Sequence, residues 1–147
     1  RLAFDEVFTM LLRSQINRKK VESQKPNFRL DLPKYQTQLN KFTGSLPFEL
    51  TDDQRSAVEE ILKDLGSAKP MNRLLQGDVG SGKTVVAAIC LYLAYLNGCE
   101  SAFMAPTEIL ANQHFQTIKQ LLEPLGLKIG LFTSTTSKKN PKRNRYL

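Results

Sequence analysis

The stretch Gly77-Asp78-Val79-Gly80-Ser81-Gly82-Lys83-Thr84 constrains this chain more than any other. It fits G-x-x-x-x-G-K-[ST], a pattern whose parts each have a physical task. Glycines let backbone N–H groups turn towards phosphate oxygens at φ values a side chain resists. Lys83 brings positive charge to the β- and γ-phosphates of a nucleotide, and the Thr84 hydroxyl offers one coordination site to Mg²⁺. The pattern needs a strand before it and a helix after it. Met71-Asn72-Arg73-Leu74-Leu75-Gln76 is short and apolar enough for a buried strand, and Val85 to Leu96 is a nearly unbroken apolar run that Asn97-Gly98 can stop. A helix N-terminus at Lys83 adds its dipole to anion binding.

The chain has 147 residues, 41% of them hydrophobic, enough for one domain with a sizeable core. The longest apolar run, Val85 to Leu96, has about 12 residues against roughly 20 needed to cross a bilayer. It reads as a core helix, with no membrane role. The formal net charge is +7, yet Lys138, Lys139, Lys142, Arg143 and Arg145 all lie in the last ten residues, and without them the remainder carries +2. That cluster and Arg18-Lys19-Lys20 can contact nucleic acid phosphates or simply face solvent. Two cysteines, Cys90 and Cys99, with one histidine make no zinc-ligand set, and read as unpaired thiols of a reducing cytoplasm.

Along the chain, Phe4, Val7, Phe8, Leu11 and Leu12 follow helical spacing, which predicts an amphipathic helix from about Leu2 to the basic stretch near Lys19. Periodicity lapses from Glu22 to Gly44, where Pro26, Pro33 and several turn formers suggest a linker or an extended crossing segment, placed at residues 26–45. Thr51 with Gln54 forms a capping box, and Val58, Ile61, Leu62 and Leu65 line one face of the helix that follows, ended by Gly66. Burying those four side chains contributes at most roughly 6–12 kcal/mol, so that face is core. Ser101–Ala105 and Lys128–Phe132 read as further buried strands, and Thr107 caps a helix with Ala111, Phe115, Ile118 and Leu122 on its inner face. Strands alternating with helices predict an α/β fold with a parallel sheet. Asn140-Pro141 reads as the start of another helix that Leu147 interrupts after about two turns, and the first residue is Arg1. Both ends suggest a piece of a longer protein.

The residues around the loop select among nucleotide-binding proteins. Phe48-Glu49-Leu50-Thr51-Asp52-Asp53-Gln54, Pro70 through Ala87, and Met104-Ala105-Pro106-Thr107-Glu108-Ile109-Leu110-Ala111 with Gln113-His114 resemble the first motor lobe of the RecG family, bacterial ATP-dependent DNA helicases of superfamily 2. The Mfd transcription-repair coupling translocases share Gly-Asp-Val-Gly but usually carry Phe where this chain has Ser81 and Thr-Leu-Leu where it has Glu108-Ile109-Leu110. The resemblance implies a partial RecA-like lobe over residues 46–147, with residues 1–25 similar to the connection from an upstream wedge domain. It implies ATP and Mg²⁺ as ligands, and branched or forked DNA as the partner of a monomeric motor in the bacterial cytoplasm.

Residue by residue, the resemblance makes Gln54 the reader of the adenine edge and Phe48 part of the adenine wall, although a capping box explains Gln54 without a ligand. Gly77, Asp78, Val79, Gly80, Ser81, Gly82, Lys83 and Thr84 become the ATP-binding loop, with Lys83 the catalytic residue and Thr84 the Mg²⁺ ligand. Pro106 and Thr107 match a motif in which a helix start meets a DNA backbone phosphate; an ordinary helix cap is the plain alternative, and Glu108 partly repels a phosphate. His114 reads as a packed or surface histidine. Thr133-Ser134 stands where the family has Thr-Gly. No Asp-Glu pair follows an apolar strand after the loop, so this stretch is expected to grip ATP without splitting it. A non-catalytic nucleotide- or DNA-binding remnant is the alternative from a different class.

Overall fold

A computed structural model of the chain describes residues 2–23 and 30–134. The basic cluster from Lys138 to Arg145 and the helix start at Asn140-Pro141 lie outside the described residues. Among the described residues five α-helices follow in order: α1 (Leu2–Ser23), α2 (Leu32–Gly44), α3 (Asp52–Leu65), α4 (Lys83–Leu96) and α5 (Glu108–Leu122), with a 3₁₀ turn at Glu123–Leu125.

The core forms around α4. Its run of small and branched apolar residues has no polar face to keep wet, so Val85, Val86, Ala88, Ile89, Tyr92 and Leu93 are all buried. The helices α2, α3 and α5 each pack against it. From α3 come Val58, Ile61 and Leu62, and from α5 come Ile118 and Leu122. Thr51 accepts the Gln54 N–H while the Gln54 side chain accepts the Thr51 N–H, so the capping box is formed at both ends. Thr107 caps α5 through the Leu110 N–H, and Gly126, at φ +91°, turns the chain away after the 3₁₀ turn.

Residues 32–44 are helical where an extended crossing was expected. Asp31 accepts the Lys34 N–H as N-cap, and Pro33 sits in the first turn, where its missing N–H costs nothing. Leu39 and Phe42 are buried, and Phe42 meets the Tyr92 ring edge-on at 5.1 Å between centroids. The Asp31 N–H donates to Asn97 Oδ1 at 2.7 Å, which ties the start of α2 to the end of α4. The amphipathic stripe of α1, in contrast, stays uncovered: Phe4, Val7, Phe8 and Leu11 are all more than half exposed.

The expected parallel sheet is absent: no strand occurs among the described residues. The segments at 71–76, 101–105 and 128–132 carry the apolar composition of strands, but no backbone hydrogen bonds join them to one another. A strand exists only through such pairing, which composition cannot supply. Leu74 (87% exposed) and Met104 (92% exposed) therefore face solvent, while Leu75 and Ile129 rest partly buried against the helical core. The α/β description holds for the pattern of the sequence and not for these residues as folded.

Two outcomes are expected. In amide hydrogen exchange on this chain, Leu74 and Met104 exchange orders of magnitude faster than Ile89 and Leu93. Comparable protection at all four would show a sheet that this structure lacks. Burial pushes the Cys90 thiol up from 9.0 to about 11. The folded state then holds that proton more tightly than the unfolded chain, so this contribution to stability is complete below pH 9 and fades as pH rises towards 11. Iodoacetamide at pH 8 should label Cys90 at least tenfold more slowly than free cysteine, since roughly a hundredfold less thiolate is present.

Candidate functional site

The Gly77–Thr84 loop runs directly into α4, and geometry requires two of its glycines. Gly80 and Gly82 have φ of +84° and +78°, in the left-handed region that costs a side chain energy. A Cβ on Gly77 would lie 2.7 Å from Ser81 Oγ, and one on Gly82 would collide with the Gln54 side-chain amide. Ser81 closes the turn by donating its N–H to the Asp78 carbonyl.

Lys83 occupies the centre of this loop. Its ammonium donates to the Gly77 carbonyl at 2.8 Å, the Asp78 carbonyl at 2.6 Å and Ser81 Oγ at 3.2 Å. Three oxygens match the three donors of the amine, so the loop backbone fixes the position of the charge. The first turn of α4 has no side-chain cap, and the Thr84 hydroxyl has no hydrogen-bond partner among the described residues. Positive charge, uncapped amides and a free hydroxyl thus converge on one end of one helix. An anion suits that end.

Gln54 reaches this loop from α3. Its Oε1 accepts the Thr51 N–H at 2.9 Å, and its Nε2 donates to the Ser81 carbonyl at 2.8 Å. The capping role foreseen for it is formed, and the same side chain also fastens the loop. Phe48 stands apart: 46% exposed, it borders a cavity of about 700 Å³ between α2 and α3 that no residue of the loop lines.

Arg73, which no sequence motif marks, also makes contacts near the loop. It donates Nε to Asp64 Oδ2 at 2.9 Å and Nη1 to Glu60 Oε2 at 2.6 Å, and its Nη2 lies 2.8 Å from the same Asp64 oxygen. The only hint in the sequence was a pair of acids four apart on one helix, a spacing that puts both on one face.

At the start of α5, Pro106 and Thr107 are exposed, with the Thr107 hydroxyl engaged as N-cap. Ser134 Oγ donates to the Glu108 carboxylate at 3.4 Å, which brings the Thr133-Ser134 segment to this helix start. His114 packs edge-on against Phe103, 5.1 Å between centroids. No cluster of His, Cys, Asp or Glu able to hold a metal occurs among the described residues, and no described helix is long and apolar enough to cross a membrane.

Residues 51–146 match the family described as DEAD/DEAH box helicase. The ATP-dependent DNA helicase RecG of Staphylococcus epidermidis is 46% identical over 147 residues, covering 99% of this chain and 20% of that one. RecG of Bacillus subtilis is 43% identical over 97% of this chain and 20% of its own length. RecG of Borreliella burgdorferi is 50% identical over 69% of this chain and 15% of its own length. A solved structure of RecG bound to a three-way DNA junction superimposes with a TM-score of 0.71 at 38% identity, over 95% of this chain and 19% of that one. The chain spans a fifth or less of the length of these relatives. It belongs to the DEAD/DEAH box helicase family and, across nearly its whole length, resembles the RecG helicases.

Proposed function

We propose that this chain is the ATP-gripping part of a DNA helicase that acts on branched DNA, at replication forks and recombination junctions, in repair and recombination. The observation that carries the proposal is the Lys83 ammonium seated among the loop carbonyls at the uncapped end of α4. In this reading Lys83 exchanges those carbonyls for the β- and γ-phosphate oxygens, which offer full negative charge instead of dipoles. The residues from Gly77 to Gly82 wrap the phosphates with backbone N–H groups. Mg²⁺, held in part by Thr84, neutralises phosphate charge when bound. The unpartnered Thr84 hydroxyl fits that role.

Gln54 reads the adenine while still fastened to Ser81, since its amide retains a second N–H and further acceptor capacity. The adenine-wall role of Phe48 rests on the resemblance alone, since in this structure Phe48 borders the cavity between α2 and α3 and not the loop. Pro106 and Thr107 offer an exposed helix start to a DNA phosphate. The relatives support the substrate class: they are named ATP-dependent DNA helicases, and the solved RecG structure holds a three-way DNA junction. Two free thiols suit the bacterial cytoplasm, where we place a motor working as a monomer.

Two substitutions in the intact protein test the reading. Lys83→Ala should reduce DNA-stimulated ATP hydrolysis at least a thousandfold, to background; turnover near the parent's would refute the loop assignment. Gln54→Glu keeps an Oε1 acceptor for the capping box but sets a carboxylate oxygen in place of Nε2 against the Ser81 carbonyl. Its helix stability should therefore be nearly unchanged while ATP binds roughly tenfold more weakly. Equal losses in stability and in affinity would reduce Gln54 to a helix cap.

A further inference from the structure

The helix α3 touches the loop-bearing segment at two places, and only one of them involves a residue already given a role. At its start, Gln54 donates to the Ser81 carbonyl inside the loop. Near its end, Glu60 and Asp64 hold Arg73, four residues ahead of Gly77. Ten helical residues separate Gln54 from Asp64, about 15 Å at 1.5 Å per residue.

We propose that Arg73 is a positioning residue for the nucleotide loop, acting through Glu60 and Asp64 so that α3 holds the loop-bearing segment at both points. The inference rests on the reading of residues 77–84 as an ATP site. The segment at 71–76 pairs with no strand among the described residues, and of its side chains only Leu75 packs partly against the core. Among the described residues, Leu75 and the Arg73 fork are the contacts that anchor the backbone leading into Gly77. An exposed ion pair usually contributes little, but Arg73 differs from that case. The three side chains are solvent-accessible (Arg73 35%, Asp64 40% and Glu60 63% exposed), and what sets the group apart is geometry: the planar fork binds two carboxylates at once, which fixes orientation as well as distance. The payoff lies at Gly77 and Asp78, whose carbonyls receive the Lys83 ammonium. If the segment slackens, those carbonyls shift relative to α4, and Lys83 and the loop amides no longer converge on one phosphate position.

The test uses the intact protein with ATP as the calorimetric probe, comparing Arg73→Met, Asp64→Asn and the double variant, with Arg73→Lys and Lys83→Ala alongside. Arg73→Met should weaken ATP binding roughly five- to tenfold and raise KM, and because it misplaces Lys83 it should also lower kcat, by far less than Lys83→Ala does. The Arg73→Met and Asp64→Asn effects should be non-additive, and Arg73→Lys should recover only part of the affinity, because an ammonium cannot serve both carboxylates as a fork does. Should Arg73→Met fail to fold, Glu60→Gln removes one contact and should still weaken ATP binding two- to threefold. Unchanged ATP affinity in a folded Arg73→Met or Glu60→Gln protein, or additive effects with Asp64→Asn, would overturn the proposal. If Lys83→Ala itself leaves ATP binding intact, the ATP-site reading fails instead; loss there with full affinity in Arg73→Met removes only the role of Arg73.

Discussion

Burial of α4 is the constraint on which the rest of this structure depends. A helix that is apolar on nearly all sides cannot lie on a surface, so α2, α3 and α5 gather around it and leave Ala88, Ile89 and Leu93 with no exposure at all. Only its two ends remain polar. The C-terminal end is closed by Asn97, whose side chain donates to the Leu93 carbonyl and accepts the Asp31 N–H. The N-terminal end has no such closure, and the glycine loop sits there. Hydrophobic burial thus fixes the place and direction of the helix dipole, and the dipole points at the loop.

What the loop adds is charge held in readiness. Lys83 is turned inward onto carbonyl oxygens by the same backbone that φ-positive glycines permit, so neither feature works without the other. Gln54 shows how closely the two requirements are joined: its amide occupies the space a Gly82 side chain would need, and from there it holds Ser81. The residue that begins α3 as a helix signal also belongs to the wall of the loop. Local capping chemistry and site construction are one interaction here.

The sequence made some of this legible and hid the rest for physical reasons. Helix ends could be read because caps are local: Thr51 with Gln54, Gly66, and Thr107 act within a few residues of themselves. The loop was legible because its glycine spacing has few other uses. The sheet was not, since Leu74, Met104 and Phe132 have the composition of strands, whereas a strand needs a partner that no local pattern encodes. The helix α2 was missed by reading Pro33 as a breaker, although Leu32, Tyr35, Leu39 and Phe42 carry a helical period and pack on the core. The contacts of Arg73 with Glu60 and Asp64 cross two elements, and nothing local announces them.

Amide hydrogen exchange across the loop of the intact protein, with and without ATP and Mg²⁺, tests the central claim most directly. If this loop is a phosphate cradle, nucleotide slows exchange at Gly80, Gly82, Lys83 and Thr84, and if Gln54 reads the base as proposed, ATP does so at lower concentration than GTP. Exchange at those four amides that is the same with and without ATP would contradict the account.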